Sequence, residues 1–343
     1  MLPGESDGFP ANGVRMKPKL ALYWASSCGG CEIAVVNLQE KFLDLAAHFE
    51  LVFCPCLLDT KKKDIEALPD RAIALALFNG GIRTEENVEM ARLLRAKSEV
   101  LVAFGSCATE GCIPGLANLG SREEILRSAY LDGHTTVNPD GVVPGRDTAV
   151  PEGRLQLPAL LEKLQTLGDT VEVDFFMPGC PPEPARIWDV LDTIIEGRPL
   201  PPAGSTIGAG QQTVCQECPR QKETEKKIAR FRRSWEIVPD ALHCLLDQGL
   251  VCMGIATRNG CGALCPRVNM PCTGCYGTPE GVADQGARMV AALGSMLDLG
   301  LLTGLPEEEI PARVAALFEA IPDPAGTFYK YSLPVSLLKG GRP

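Results

Sequence analysis

The sequence predicts an α/β protein: a doubly wound parallel sheet, then a loop-rich, cysteine-dense region, then C-terminal helices. Three observations predict it. Continuous apolar runs alternate with helical patterns through the first two hundred residues, the texture of parallel strands buried on both faces. A Pro/Gly-rich segment from Arg198 to Gly210 then breaks that texture. Beyond it, eight cysteines fall between Cys215 and Cys275 with little sustained periodicity.

The elements follow in order. Residues 1–17 are rich in Gly and Pro and read as a disordered or partner-docked arm. Residues 18–200 form the expected sheet domain. Its first strand, Leu20 to Trp24, runs into the loop Ser26-Ser27-Cys28-Gly29-Gly30-Cys31, after which Ile33, Val36, Phe42 and Leu45 take near-helical spacing. Leu51 to Leu58 and Ala72 to Phe78 read as strands, Glu85 to Lys97 as a helix, and Val100 to Phe104 as a strand ending at Gly105-Ser106-Cys107. After an irregular loop, Val171 to Phe176 reads as a strand leading into Pro178-Gly179-Cys180-Pro181-Pro182, with a helix from about Glu183 to Glu196. Such sheets place their sites at the carboxyl ends of the strands. Residues 201–278 form the cysteine-rich part, expected to owe its fold to something bound because apolar positions are few. Residues 279–343 are helical, the first helix capped by Thr278 with Pro279 at its first position, the second over Glu307 to Ala320.

The chain has 343 residues, a formal net charge of −10 and a pI near 5.0. That balance argues against a nucleic-acid or anionic-membrane binder, both of which need a cationic surface. No apolar run is long enough for a membrane span or a secretion signal, so a cytoplasmic protein is expected. The chain has fifteen cysteines, and a reducing cytosol keeps such thiols as thiolate ligands rather than as disulfides.

Cysteine follows an apolar strand in three separate loops: Cys28 with Cys31, Cys107, and Cys180. Parallel strands bring those loops to one sheet edge, where four thiolates suit a 4Fe-4S cluster or a zinc ion. The neighbouring glycines permit tight turns and close backbone approach. In the tail, chain order suggests Cys215, Cys218, Cys244 and Cys252 for one four-thiolate site, and Cys261, Cys265, Cys272 and Cys275 for another. The irregular spacings fit paired zinc ribbons less well. Three sets of four leave Cys54, Cys56 and Cys112: the first two are expected on one strand face, and the third could only replace a ligand.

The motifs Cys28-Gly29-Gly30-Cys31, Gly105-Ser106-Cys107-Ala108, Pro178-Gly179-Cys180-Pro181-Pro182 and the eight-cysteine tail resemble the small, electron-transferring subunit of nickel-iron hydrogenases. Gly249-Leu250-Val251-Cys252-Met253-Gly254, Pro271-Cys272-Thr273-Gly274-Cys275-Tyr276-Gly277 and Gly326-Thr327-Phe328-Tyr329 are similar to its cytoplasmic, methyl-viologen-reducing branch. The match runs from about Leu20 to Leu338. It implies a flavodoxin-like first domain whose Cys28, Cys31, Cys107 and Cys180 hold a proximal 4Fe-4S cluster facing the nickel-iron site of a large subunit. Carried over, Cys261, Cys265, Cys272 and Cys275 hold a medial cluster, and Cys215, Cys218, Cys244 and Cys252 a distal one. Periplasmic relatives use His where this chain has Cys215 and lack a fourth medial cysteine; Cys265 therefore implies three 4Fe-4S clusters. Cys112 stands where the family more often has glycine.

The resemblance implies hydrogen oxidation in the large subunit, with electrons passing through the clusters to an iron-sulfur adaptor subunit and a heterodisulfide-reductase-like flavoprotein complex. The alternatives are a cluster subunit of a quinone-reducing complex, which would carry an adjacent cysteine pair and no cluster-rich tail, and a zinc-stabilised interaction module. An independent enzyme is a third: the three histidines form no triad, though His243 beside Cys244 could replace a thiolate. Glu32 complements the dipole of the helix after Cys31, with field tuning or proton exit as its other reading. The seven basic residues of Arg220 to Arg233 read as a solvated helix face or docking surface. No phosphate-cradling or dinucleotide motif is present.

Overall fold

The structure, a computed structural model, describes residues 17–225 and 227–339. The arm expected at 1–17 lies outside the described residues except for Lys17. The first half of the chain contributes β1 (Lys19–Trp24), α1 (Gly30–Val36), α2 (Lys41–His48), β2 (Glu50–Phe53), α3 (Lys62–Glu66), β3 (Ile73–Asn79), β4 (Ile82–Thr84), α4 (Glu85–Lys97), β5 (Ser98–Phe104), α5 (Ser106–Thr109) and α6 (Arg122–Tyr130). There follow β6 (Asp147–Val150), β7 (Gly153–Gln156), β8 (Leu160–Gln165), β9 (Phe175–Met177), α7 (Pro184–Ile195) and β10 (Ser205–Thr206). Six of these strands build one parallel sheet in the order β10-β9-β5-β3-β1-β2. Counted within the sheet alone, this is the 2-1-3-4-5 order of flavodoxin-like folds with one strand added at the edge. The remaining strands pair antiparallel in twos, β4 with β8 and β6 with β7.

Alternation along the strands fills two cores. Leu20, Leu22, Leu75, Leu77, Val102 and Phe104 face α1, α2 and α7, while Ala21, Tyr23, Ala76, Phe78, Leu101 and Ala103 face α4. Burying a side chain of this size stabilises by about 1.5–3 kcal/mol, so helices on both faces are what such strands require. Helix α4 begins where expected because Thr84 accepts the Asn87 N–H, while the Asn87 side chain accepts the Thr84 N–H.

Several expectations need correction. The helix after Cys31 is broken between α1 and α2, and its Ile33 and Val36 point outward, 60% and 50% exposed, while Ala34, Val35, Leu38 and Leu45 are buried. The second strand stops at Phe53; Cys54 to Leu58 form a turn closed by the Leu57 and Leu58 N–H groups on the Cys54 carbonyl. Cys54 and Cys56 therefore do not share a strand face. The Pro/Gly segment adds a parallel strand, β10, and buries Ile207, so the sheet extends past position 200. A strand this short, with only Ser205 and Thr206, carries no apolar run to betray it.

The second half holds α8 (Val214–Glu217), α9 (Leu264–Arg267), α10 (Gln285–Met296), α11 (Ile310–Phe318) and α12 (Pro324–Phe328), joined by loops and 3-10 turns. Helix α10 is capped by Asp284, whose side chain accepts the Ala287 N–H, rather than by Thr278, and residues 279–284 form a turn. The cysteine-rich part is not poor in apolar support. Val214, Phe231, Leu245, Leu246, Leu250 and Met253 pack with Met289, Leu293 and Phe328 into a third core that includes Cys244, Cys252 and Cys272.

Candidate metal centres

The carboxyl ends of β1, β3, β5 and β9 lie side by side, so the loops after them share one sheet edge. Cys28 and Cys31 follow β1, Cys107 follows β5 and Cys180 follows β9; Cys31 lies within electrostatic reach of the other three. Burial first, then repulsion from Cys107, Glu32, Cys180 and Cys28, pushes the Cys31 thiol far up. A set of thiolates at such a point needs a cationic centre to balance it. Gly105, at φ 84°, leaves space that a methyl group would take from the Cys31 sulfur. The backbone is fixed across this edge: Ser106 N–H donates to the Gly179 carbonyl at 2.8 Å, and the Ser106 hydroxyl accepts the Gly179 N–H at 3.0 Å.

The two tail groups also form. Cys215 feels burial first, then Cys252, Cys244 and Cys218, which push it up to about 12. A cavity of about 20 Å3 is lined by these four cysteines together with Val214, Leu245, Leu246 and Pro266. In the other group, Cys275 lies within reach of Cys261 and Cys265, and Cys272 within reach of Cys275 and Cys252. The groups form a sequence in space: Cys180 lies near Cys275, and Cys272 lies near Cys252. Among the described residues, no three ligating side chains converge at the spacing of one bound ion. The donor set, at least four thiols in each neighbourhood, with Gly105 close to the Cys31 sulfur and Gly254 close to the Cys215 and Cys252 sulfurs, fits a cluster of several irons.

Charged side chains brace these loops. The Glu217 carboxylate, between Cys215 and Cys218, accepts the N–H groups of Gly260 and Ala263 and lies 3.6 Å from the Cys261 sulfur. Arg220 is buried, and its guanidinium donates to the carbonyls of Pro266, Asp240 and His243 at 2.7–2.8 Å and to the Asn269 side chain. No helix spans Arg220 to Arg233, so the solvated helix face expected there is absent among the described residues. Sequence reasoning missed Arg220 because a run of basic residues hides a buried member among them. His243 bonds Asp240 through its ring at 2.8 Å and is exposed. The buried Glu32 carboxylate receives the Asn79 amide at 2.8 Å, an anchor at the end of β3 that a reading of the helix dipole alone does not include.

Cys112 is the residue whose place was least legible. It is buried in one cluster with Cys107 and Tyr331, and Cys180 and Cys275 pack against that cluster.

Residues 28–194 match the family model described as NADH ubiquinone oxidoreductase, 20 Kd subunit. The chain is 38% identical over 328 residues to the iron-sulfur subunit of the F420-non-reducing hydrogenase of Archaeoglobus profundus, covering 94% of this chain and 98% of that protein. It is 36% identical over 324 residues to a subunit of the F420-non-reducing hydrogenase of Methanothermobacter marburgensis, covering 94% and 96%. Among solved structures, a chain of an NAD+-reducing NiFe-hydrogenase in the H2-reduced state aligns with 54% of this chain and 96% of its own length, at 30% identity and a TM-score of 0.46. The chain belongs to the iron-sulfur subunit family of F420-non-reducing hydrogenases, the small subunits of the methyl-viologen-reducing nickel-iron type, and so to an oxidoreductase complex that acts on hydrogen.

Proposed function

We propose that this subunit carries electrons from hydrogen oxidation through three 4Fe-4S clusters. Cys28, Cys31, Cys107 and Cys180 hold the proximal cluster; Cys261, Cys265, Cys272 and Cys275 the medial one; Cys215, Cys218, Cys244 and Cys252 the distal one. The observation that carries this reading is the spatial order of the thiol groups, with Cys180 beside Cys275 and Cys272 beside Cys252. Bound clusters supply one-electron transfer. The chain's own residues fix the ligands, exclude water and set the local field: Ser106, Glu217 and Arg220 hold the loops, and buried N–H and S–H donors face the sulfurs.

Trp24, Ile33 and Val36, exposed apolar side chains on the segment that carries Cys28 and Cys31, are suited to contact with the large subunit that contains the nickel-iron site. The acceptor is an iron-sulfur adaptor subunit leading to a heterodisulfide-reductase-like flavoprotein complex, and the complex is cytoplasmic. Among the described residues no helix is long and apolar enough to cross a membrane. The test is iron, acid-labile sulfide and zinc per chain in protein purified without oxygen. About twelve iron and twelve sulfide support three clusters. About two zinc with little iron would replace this reading with a metal-stapled interaction module.

A further inference from the structure

The proximal neighbourhood contains five cysteines rather than four. Cys112 is 1% exposed and sits at φ 51°, a left-handed conformation that a non-glycine residue seldom adopts. The fold holds it there from two sides. Its N–H donates to the Tyr331 carbonyl at 3.0 Å, and its carbonyl accepts the Gly115 N–H at 2.9 Å. Pro334 fills the space above Gly111 and Gly115, where a methyl group on either would collide with its ring. Tyr331 in turn hydrogen-bonds Thr273, between Cys272 and Cys275, at 3.0 Å. The C-terminal segment thus presses the Cys112 turn onto the proximal loops.

A buried thiol held in this way needs a partner for its S–H, and the Cys107 and Cys180 sulfurs are the groups it meets. With four thiolates already supplied by Cys28, Cys31, Cys107 and Cys180, a fifth would add negative charge to a buried site. We propose that Cys112 is a positioning residue of the proximal centre, a thiol packed with Cys107 and Cys180 that donates its one S–H to the Cys180 ligand sulfur and thereby raises the reduction potential of the cluster they hold. This rests on the ligand assignment proposed above. The direction follows from electrostatics: a donor aimed at a ligand sulfur favours the more negative, reduced state.

The experiment is an EPR-monitored redox titration, with iron counted on the same samples, of the anaerobic complex containing wild type, Cys112→Gly or Cys112→Ser. Glycine removes the thiol and accepts the backbone conformation; serine keeps a shorter donor. Expected are unchanged iron in both variants, a downward shift of one cluster's midpoint potential in Cys112→Gly with the other two unmoved, and an intermediate value in Cys112→Ser. Full iron with an unmoved potential overturns this inference alone. Loss of about four iron in both variants makes Cys112 a ligand and overturns it as a donor. A wild-type chain with no cluster in the first domain overturns the ligand assignment and this inference together.

Discussion

The Tyr276 hydroxyl accepts the backbone N–H of Glu183 at 2.8 Å, joining the loop after Cys275 to the start of α7, three residues after Cys180. The ring is 2% exposed, so the bond is shielded from water. Removing the acceptor leaves a helix-terminal N–H without its partner. Tyr276→Phe is therefore expected to destabilise the chain by about 1–2 kcal/mol. Denaturant unfolding of the anaerobic protein measures this, and an unchanged midpoint would show that the bond contributes nothing.

Gly105→Ala is expected to remove the proximal cluster. The residue sits at φ 84°, and an added methyl group would occupy the space beside the Cys31 sulfur and near the Gly179 carbonyl. Backbone strain and a collision with the proposed ligand Cys31 act together here. Iron per chain should fall from about twelve to about eight, with the tail clusters retained. Full iron content would mean that the loop relaxes around the methyl.

The parallel strands and the three strand-end cysteine loops were legible in the sequence because each depends on a local pattern: an apolar run, then glycine beside cysteine. What was hidden depends on contacts between distant segments. Cys112 is brought to the proximal edge by Tyr331 and Pro334, more than two hundred residues later, and no local spacing encodes that meeting. Strand β10 is too short to show a period, and the core beneath the tail cysteines is assembled by α10, whose Met289 and Leu293 reach it from outside the cysteine-rich stretch. The strand expected through Cys54 and Cys56 failed for another reason. An apolar run does not mark its own end, and Pro55 turns the chain so that the two sulfurs lie 3.6 Å apart.

Arg220 is expected to be the most sensitive charged residue outside the ligands. Its side chain donates to carbonyls beside Cys265 and Cys244 and so joins the two tail loops. Lysine cannot reproduce the planar fork that reaches several carbonyls at once. Arg220→Lys should cost about 2–4 kcal/mol and lower iron content in the tail, because carbonyls lose buried partners. An iron count and unfolding midpoint equal to wild type would refute this.

Glu110 predicts a pH dependence. Burial raises its carboxyl to about 7, against opposing effects from Thr109, Ser106 and Arg258 and a further upward contribution from Cys180. The folded state therefore binds a proton that the unfolded state releases near the ordinary value of 4.5. Stability from this group is complete below the unfolded value and is lost as pH rises through the folded one. Between about pH 5.5 and about pH 7.5 the wild type should lose about 1–3 kcal/mol that Glu110→Gln does not lose. Parallel slopes in the two proteins would remove Glu110 as the cause.

Iron removal is expected to loosen the tail before the sheet. Three of the side chains buried in the tail core are Cys244, Cys252 and Cys272, and α8 and α9 are only four residues long, too short to stand without their surroundings. The sheet domain has two apolar cores whose residues are mostly independent of its cysteines. Helix α10 anchors the tail core through Met289 and Leu293, so the loss should be graded, with the loops opening while the helix persists. Hydrogen exchange after chelation measures this: amides between Cys215 and Cys275 should exchange first, α10 later, and β3 and β5 last. Simultaneous exchange of β3, β5 and the tail loops would mean that the metal holds the whole chain rather than its second half.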